Sequence, residues 1–261
     1  GLSPELMRAI DKKGYVQATP VQGGSIPYFM EYKDVIAKAP TGTGKTFAFG
    51  IPMVEHIDPE SRDVQGLVLA PTRELAIQIR DELRDLCAFK EGVRTVCLYG
   101  GQPIDKQILQ PKKAPQIVVA TPGRLMDHVK RRTVRLDKVE TVVLDEADRM
   151  LDMGFIHDVK KILKWLPARK QTMLFSATMP PEIADLVNSL LRSPVRVAVD
   201  PVSSPVEAIR QSVYFVDRGN KTKLLSLLMD QLGVKNALVF TRTKHGANKV
   251  AREPVSYTHL R

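Results

Sequence analysis

Ala39-Pro40-Thr41-Gly42-Thr43-Gly44-Lys45-Thr46 is the stretch on which the fold turns. A short apolar run, Val35-Ile36-Ala37, precedes it, and a helix-like segment, Phe47 to His56, follows. Strand, loop and helix in that order are the setting a phosphate-binding loop needs. Two glycines at alternate positions let the backbone curl until successive N–H groups point into one concavity. The positive end of the following helix adds to the pull on an anion. Lys45 puts a point charge on terminal phosphates, and the Thr46 hydroxyl is placed to ligate Mg2+. The expected ligand is a nucleoside triphosphate, held by Ala39, Thr41, Gly42, Thr43, Gly44, Lys45 and Thr46. The general motif opens with Gly, and Ala39 departs from it.

Outward from this loop, residues 34–199 alternate short β-branched runs with longer periodic stretches. The expected strands are Val35–Lys38, Leu67–Ala70, Thr95–Leu98, Ile117–Ala120, Thr141–Leu144, Thr172–Phe175 and Arg196–Val199. Helical stretches lie between most of them; in Thr72–Phe89, Leu75, Ile79, Leu83 and Leu86 fall on one face. Strands alternating with helices predict an α/β fold, a parallel sheet with helices on both faces. Upstream, Ser3-Pro4 reads as a helix cap and Gly14 as that helix's stop. Residues 1–200 thus form a first domain and 201–208, rich in Pro and Ser, a linker. A second domain begins at 209–252, with strands Gln211–Val216 and Ala237–Thr241, helix Lys221–Leu232 and a helix from Lys244. Two such βα units cannot cover both faces of a sheet. Residues 253–261 read as an atypical tail outside the domain, since Pro254 stops the preceding helix.

The chain has 261 residues, 43% of them hydrophobic, enough for one large core or two smaller ones. No apolar run has the length of a membrane span, and a cytoplasmic protein is expected. The two cysteines, Cys87 and Cys97, read as reduced thiols acting as small apolar side chains. Five scattered histidines lack metal-ligand spacing. A net charge of +10 favours a polyanionic partner, although Lys130-Arg131-Arg132 reads as a basic helix end.

A second chemical signal lies one hundred residues beyond Lys45. Val142-Val143-Leu144-Asp145-Glu146-Ala147-Asp148 is an apolar strand ending in carboxylates. Ligands of open α/β sheets sit beyond the carboxyl ends of strands, so Asp145 would share a crevice with Thr46 and hold Mg2+ through water. Glu146 beside it can orient and deprotonate an attacking water. The plainer reading is an acidic helix start, since carboxylates stabilise a helix N-terminus.

Asp145-Glu146-Ala147-Asp148 resembles the signature of the DEAD-box RNA helicases, and further motifs of that family follow in order. Gly14-Tyr15 with Thr19-Pro20-Val21-Gln22 is similar to its Q motif, with Ala18 where Pro is frequent. Ala39 to Thr46 matches its phosphate loop, Ala39 included. Pro71-Thr72-Arg73-Glu74-Leu75-Ala76 resembles motif Ia, and Gly100-Gly101 the paired glycines. Thr121-Pro122-Gly123-Arg124 resembles motif Ib, Ser176-Ala177-Thr178 motif III, and Val239-Phe240-Thr241-Arg242-Thr243 motif IV. The phrasing Gln171-Thr172-Met173-Leu174-Phe175 resembles bacterial members.

That resemblance implies a RecA-like nucleotide-binding domain followed by the start of a second one. It implies ATP and Mg2+ as cofactors, with Gln22 reading adenine through its carboxamide. Lys45, Asp145 and Glu146 would be catalytic, and Thr46 and Asp145 would hold the metal. RNA, single-stranded or a short duplex, would be gripped through its backbone by Thr72, Arg73, Gly101, Thr121, Gly123 and Arg124, with little sequence preference. Asp148, Ser176 and Thr178 would couple hydrolysis to strand separation. The protein is expected to act as a monomer away from membranes. No stretch of the 261 residues resembles motifs V and VI, which carry the arginine fingers, so this polypeptide is expected to hydrolyse ATP and unwind RNA little. Two other readings stay open: a non-enzymatic ATP- and RNA-binding clamp, and a DNA-directed helicase of the same superfamily.

Overall fold

Runs dense in Val, Ile, Leu and Ala become strands because both of their faces find apolar cover. The computed structural model describes residues 1–40, 42–108, 114–199 and 210–252; Thr41, the expected linker and the tail 253–261 lie outside them. The chain divides into two compact units, Gly1–Val202 and Ser203–Arg261. In the first unit the strands are β1 Val35–Lys38, β2 Gly66–Leu69, β3 Thr95–Leu98, β4 Ile117–Ala120, β5 Thr141–Leu144, β6 Gln171–Ser176 and β7 Val195–Ala198. Among the described residues they form one sheet in the order β3-β4-β2-β5-β6-β1-β7, every pair parallel. The helices are α1 Pro4–Lys12, α2 Pro20–Met30, α3 Lys45–His56, α4 Arg73–Leu86, α5 Pro122–Lys130, α6 Ala147–Asp152, α7 Ile156–Trp165 and α8 Pro181–Leu190.

Successive residues of a strand point to opposite faces, and this separates two cores. Val35, Ala37, Val68, Val119, Val143, Met173 and Phe175 join α1 to α4, where Phe29 and Phe49 flank Phe175. Ile36, Leu67, Leu69, Val118, Val142, Leu144 and Leu174 join α5 to α8. Each fully buried side chain of this size contributes about 1.5–3 kcal/mol, so the two apolar faces dominate stability.

The rim at the strand starts is closed by buried polar side chains. The Gln116 carboxamide donates to the carbonyls of Ser61 and Gly92, both at 3.0 Å, and accepts from the Arg94 N–H at 2.8 Å. Gln171 donates to the carbonyls of Phe29 and Lys33, each at 2.9 Å. Gln65 and Asp58 exchange two bonds of 2.9 Å. Buried Asp34 accepts from the Thr172 N–H at 2.8 Å and the Arg192 N–H at 2.7 Å, tying β1 to β6 and to the turn before β7. The N-terminus departs from expectation in one detail. Ser3 does precede α1, but its hydroxyl donates to Glu55 Oε2 at 2.8 Å instead of capping the helix.

In the second unit the helices form, Lys221–Gln231 and Lys244–Arg252, the latter begun by Thr243 Oγ1 accepting from the Gly246 N–H at 3.0 Å. The expected strands do not. Residues 211–216 and 237–241 make no ladder, and Val213, Phe215, Leu238 and Phe240 are exposed. Their alternation encodes strand propensity, but a strand exists only where a neighbour accepts its hydrogen bonds, and none of the described residues does so.

Asp34→Ala leaves the buried Thr172 N–H and the part-buried Arg192 N–H without an acceptor and is expected to cost about 2–3 kcal/mol in urea unfolding; a loss below about 0.5 kcal/mol would overturn this role. A second prediction concerns buried His128. Thr133 donates its only hydroxyl proton to the His128 carbonyl, so His128 Nδ1, 2.8 Å from the same oxygen, carries the ring proton. Nε2 is buried without a partner among the described residues. Burial first, then the charges of Arg124 and Arg131 against the opposing Asp127, lower the His128 pKa from its ordinary 6.5. Below that pH the unfolded chain takes up a proton that the folded chain refuses, so this contribution is present above pH 6.5 and is lost as pH falls. Unfolding free energies at pH 7.5 and 5.5 should therefore differ less in His128→Leu than in the unaltered chain.

Candidate functional site

Parallel pairing brings all strand ends to one rim. The register aligns Leu98, Ala120, Leu69, Leu144, Leu174 and Ile36 across the sheet. The neighbours β5, β6 and β1 deliver the phosphate loop, the acidic run and Ser176-Ala177-Thr178. The neighbours β3, β4 and β2 deliver Gly100-Gly101, Thr121 to Arg124 and Thr72-Arg73. Strand order thus divides the rim into two contiguous halves.

In the first half, Gly42 and Gly44 take left-handed φ values of +79° and +82°, and Thr43 Oγ1 fixes the bend by donating to the Pro40 carbonyl at 2.8 Å. α3 begins at Lys45 with no side-chain cap, so its first N–H groups remain available to an anion. Ala39 is buried and its N–H donates to the Ser176 carbonyl at 3.2 Å, which locks the loop's entry to β6. Lys45 Nζ lies 3.3 Å from Asp145 Oδ1, with 8% and 3% of the two side chains exposed. Burial pushes the Asp145 carboxyl above the usual carboxylate range, and the Lys45 ammonium opposes this. Drawing the ammonium away would leave this buried carboxylate in need of another cation.

Glu146 follows in the left-handed region, at φ 48° and ψ 53°, a conformation costing a non-glycine residue about 1–2 kcal/mol. Its N–H donates to Asp145 Oδ1 at 3.0 Å, and Arg149 donates to its Oε2 at 3.2 Å. The Asp148 carboxylate accepts from the Thr178 hydroxyl at 2.9 Å and the Thr178 N–H at 3.1 Å. Ser176 meets the backbone of Asp148 and not its carboxylate. Its oxygen accepts from the Asp148 N–H at 3.2 Å and its proton goes to the Thr178 carbonyl at 2.6 Å.

Gln22, the expected base reader, lies at the edge of a cleft of about 420 Å3 lined by Tyr15, Gln17, Ala18, Phe47 and Ile51 among others. Its Oε1 accepts from the Thr19 N–H at 3.0 Å, and its Nε2 donates to the Gly44 carbonyl at 3.1 Å. One donor and one acceptor site of the carboxamide are therefore used inside the protein, and one of each is left. A Cβ at residue 44 would stand 2.6 Å from Gln22 Nε2, which together with the positive φ makes this position glycine's.

In the second half, Gly101 has φ +90°, and a Cβ at Gly100 or Gly123 would meet open space. Thr72 caps α4, its Oγ1 accepting from the Leu75 N–H at 3.2 Å, while Thr121 precedes α5 with no cap bond. Neither Arg73 nor Arg124 pairs with a carboxylate among the described residues. Both rest on neutral partners, Tyr99 for one and Gln102 with Gln107 for the other. Those three, like Arg149, carried no periodic or motif signal in the sequence.

Burial and position also dispose of the cysteines. Desolvation raises both thiols to about 11, so Cys87 and Cys97 stay protonated and unreactive. No helix among the described residues is long and apolar enough to cross a membrane.

Comparison with known proteins follows the same lines. An ATP-dependent RNA helicase CshA of Listeria monocytogenes is 46% identical over 97% of this chain and 48% of its own length. A DEAD-box ATP-dependent RNA helicase CshA of Bacillus subtilis is 48% identical over 96% of this chain and 50% of its own length. The chain therefore spans about half the length of these relatives. The crystal structure of a DEAD box protein from the hyperthermophile Methanococcus jannaschii superposes with a TM-score of 0.72 at 37% identity, covering 96% of this chain and 67% of the other. Residues 19–186 match the DEAD/DEAH box helicase family, and with its phosphate loop after β1 and its acidic run after β5, the two strands that flank β6 in parallel, the chain belongs to that family.

Proposed function

We infer that this chain is the ATP-binding part of an ATP-dependent RNA helicase, residues 1–200, joined through 201–208 to the beginning of a second RecA-like domain at 209–252. The observation that carries the reading is the buried Lys45–Asp145 pair beside a Glu146 held in a strained backbone conformation. A charge pair with no ligand to serve is a poor stabiliser, and strain of this kind persists where surrounding structure enforces it.

The residues fit a triphosphate with Mg2+. Lys45 satisfies Asp145 when no phosphate is near, and phosphate oxygens compete for the same ammonium. The buried carboxylate then needs another cation, and a hard ion with oxygen ligands suits Asp145 and Thr46 together with phosphate and water. Mg2+ bound there would draw charge from the phosphoryl oxygens. The uncapped start of α3 and the N–H groups of residues 42–46 hold the phosphates, and Gln22 offers its remaining donor and acceptor to the adenine edge. Glu146 orients and deprotonates the attacking water. The Asp148–Thr178 bonds join this centre to the loop after β6, which supports a coupling role for Asp148, Ser176 and Thr178.

RNA is gripped at the other half of the rim, by Thr72, Arg73, Gly101, Thr121, Gly123 and Arg124. Open space at Gly123 and two uncompensated guanidinium groups favour backbone phosphates over bases, hence weak sequence preference. An arginine finger is worth on the order of 10³–10⁵ in rate, so these residues alone bind ATP and RNA but turn over slowly.

In the chain extended through its second domain, Glu146→Gln should keep ATP affinity and lower kcat by roughly 10²–10⁴. Lys45→Ala should weaken ATP binding itself by about tenfold or more. Nucleotide titration beside steady-state hydrolysis distinguishes them, and the reverse pattern would overturn the roles.

A further inference from the structure

We propose that Tyr99 and Gln107 are positioning residues that hold Arg73 and Arg124 at the RNA half of the rim while leaving their charges uncompensated. The proposal rests on the RNA reading above and assigns a role to residues 99–107, which follow β3. Arg73 Cζ lies 4.9 Å from the Tyr99 ring centroid. Arg124 Nη2 donates to the Gln102 carbonyl at 2.9 Å, and its Nη1 lies 3.4 Å from Gln107 Oε1. Gln107 is buried, at 7% exposure, and its Nε2 donates to the Tyr99 carbonyl at 2.9 Å. One half-buried ring and one buried carboxamide, bonded to each other through the Tyr99 backbone, thus hold both arginines.

The chemistry of the partners gives the reason. A surface arginine held by a carboxylate is oriented but largely neutralised, and a phosphate must displace its partner. An aromatic face, a carbonyl and a carboxamide orient the guanidinium and leave its full charge to a polyanion. Elsewhere on the chain Arg80, Arg135 and Arg149 pair with carboxylates; Arg73 and Arg124 do not, within the described residues. Gly101, two residues beyond Tyr99, takes φ +90°, so the loop that bends there is the one that carries the ring. A backbone-binding ligand fits this arrangement because its phosphates recur at fixed spacing and reward two charges held at a fixed separation.

The test is fluorescence anisotropy of a fluorescein-labelled oligouridine with the 261-residue chain over a range of salt concentrations. Gln107→Met and Tyr99→Leu should each weaken binding roughly three- to tenfold, while Tyr99→Phe, which keeps the ring, should bind within about twofold of the unaltered chain. Gln107→Glu supplies a charged acceptor and should weaken binding more than Gln107→Met. It should also lower the salt slope by about 0.7, one phosphate contact. ATP-analogue affinity should stay unchanged in all four, which a general loss of structure would not allow. The double variant Arg73→Ala with Arg124→Ala separates the two levels of the argument. If it abolishes binding while Tyr99→Leu and Gln107→Met leave binding intact, the positioning role is wrong and the site stands. If it has no effect, or the unaltered chain binds no oligouridine at low salt, the site reading falls and the proposal falls with it. Equal loss in Tyr99→Phe and Tyr99→Leu would overturn the ring contact.

Discussion

Parallel pairing of β5 between β2 and β6 is the constraint from which the site follows. In an all-parallel sheet every strand ends at the same rim, so residues distant in sequence meet without further design. Because only β6 separates β5 from β1, the loop at Lys45 and the carboxylate at Asp145 face each other across 3.3 Å. β2 and β4, on the other side of β5, carry the basic residues of the second half. The two candidate binding surfaces are therefore halves of one edge, with the short helix α6 and the loop after β6 bonded together near their junction through Asp148 and Thr178.

The two rims are treated in opposite ways. At the strand starts, Asp34, Gln65, Gln116 and Gln171 satisfy the backbone groups that loops leave exposed, and they are buried in doing so. At the strand ends, α3 begins uncapped, Thr121 makes no cap bond, and glycines at 42, 44 and 101 adopt positive φ. Closing one rim with side chains secures the sheet and leaves donors at the other for a ligand. Backbone satisfaction and the candidate site thus lie at opposite edges of the same strands.

Charge placement follows a related division. Lys45 and Asp145 are buried against each other, so each is stabilised by a partner that a ligand must take over. Arg73 and Arg124 are held by uncharged groups and keep their field for an external anion. The first arrangement suits a ligand that brings both phosphate and a divalent cation. The second suits one that brings phosphate alone.

The sequence by itself determined the α/β alternation and the seven strands of the first unit to within a residue at each end, because short runs rich in apolar and β-branched residues have few other solutions. Its motifs also fixed the family and the loop at 39–46, where the order of Gly, Lys and Thr reflects local backbone geometry. Only tertiary structure decided which residues support them. Asp34, the rim glutamines, Tyr99, Gln107 and Arg149 act through partners from other elements, and neither periodicity nor local propensity records such contacts. The absence of ladders at 211–216 and 237–241 was undecidable for the same reason: alternation specifies what a segment can become, whereas a strand requires a neighbour to pair with.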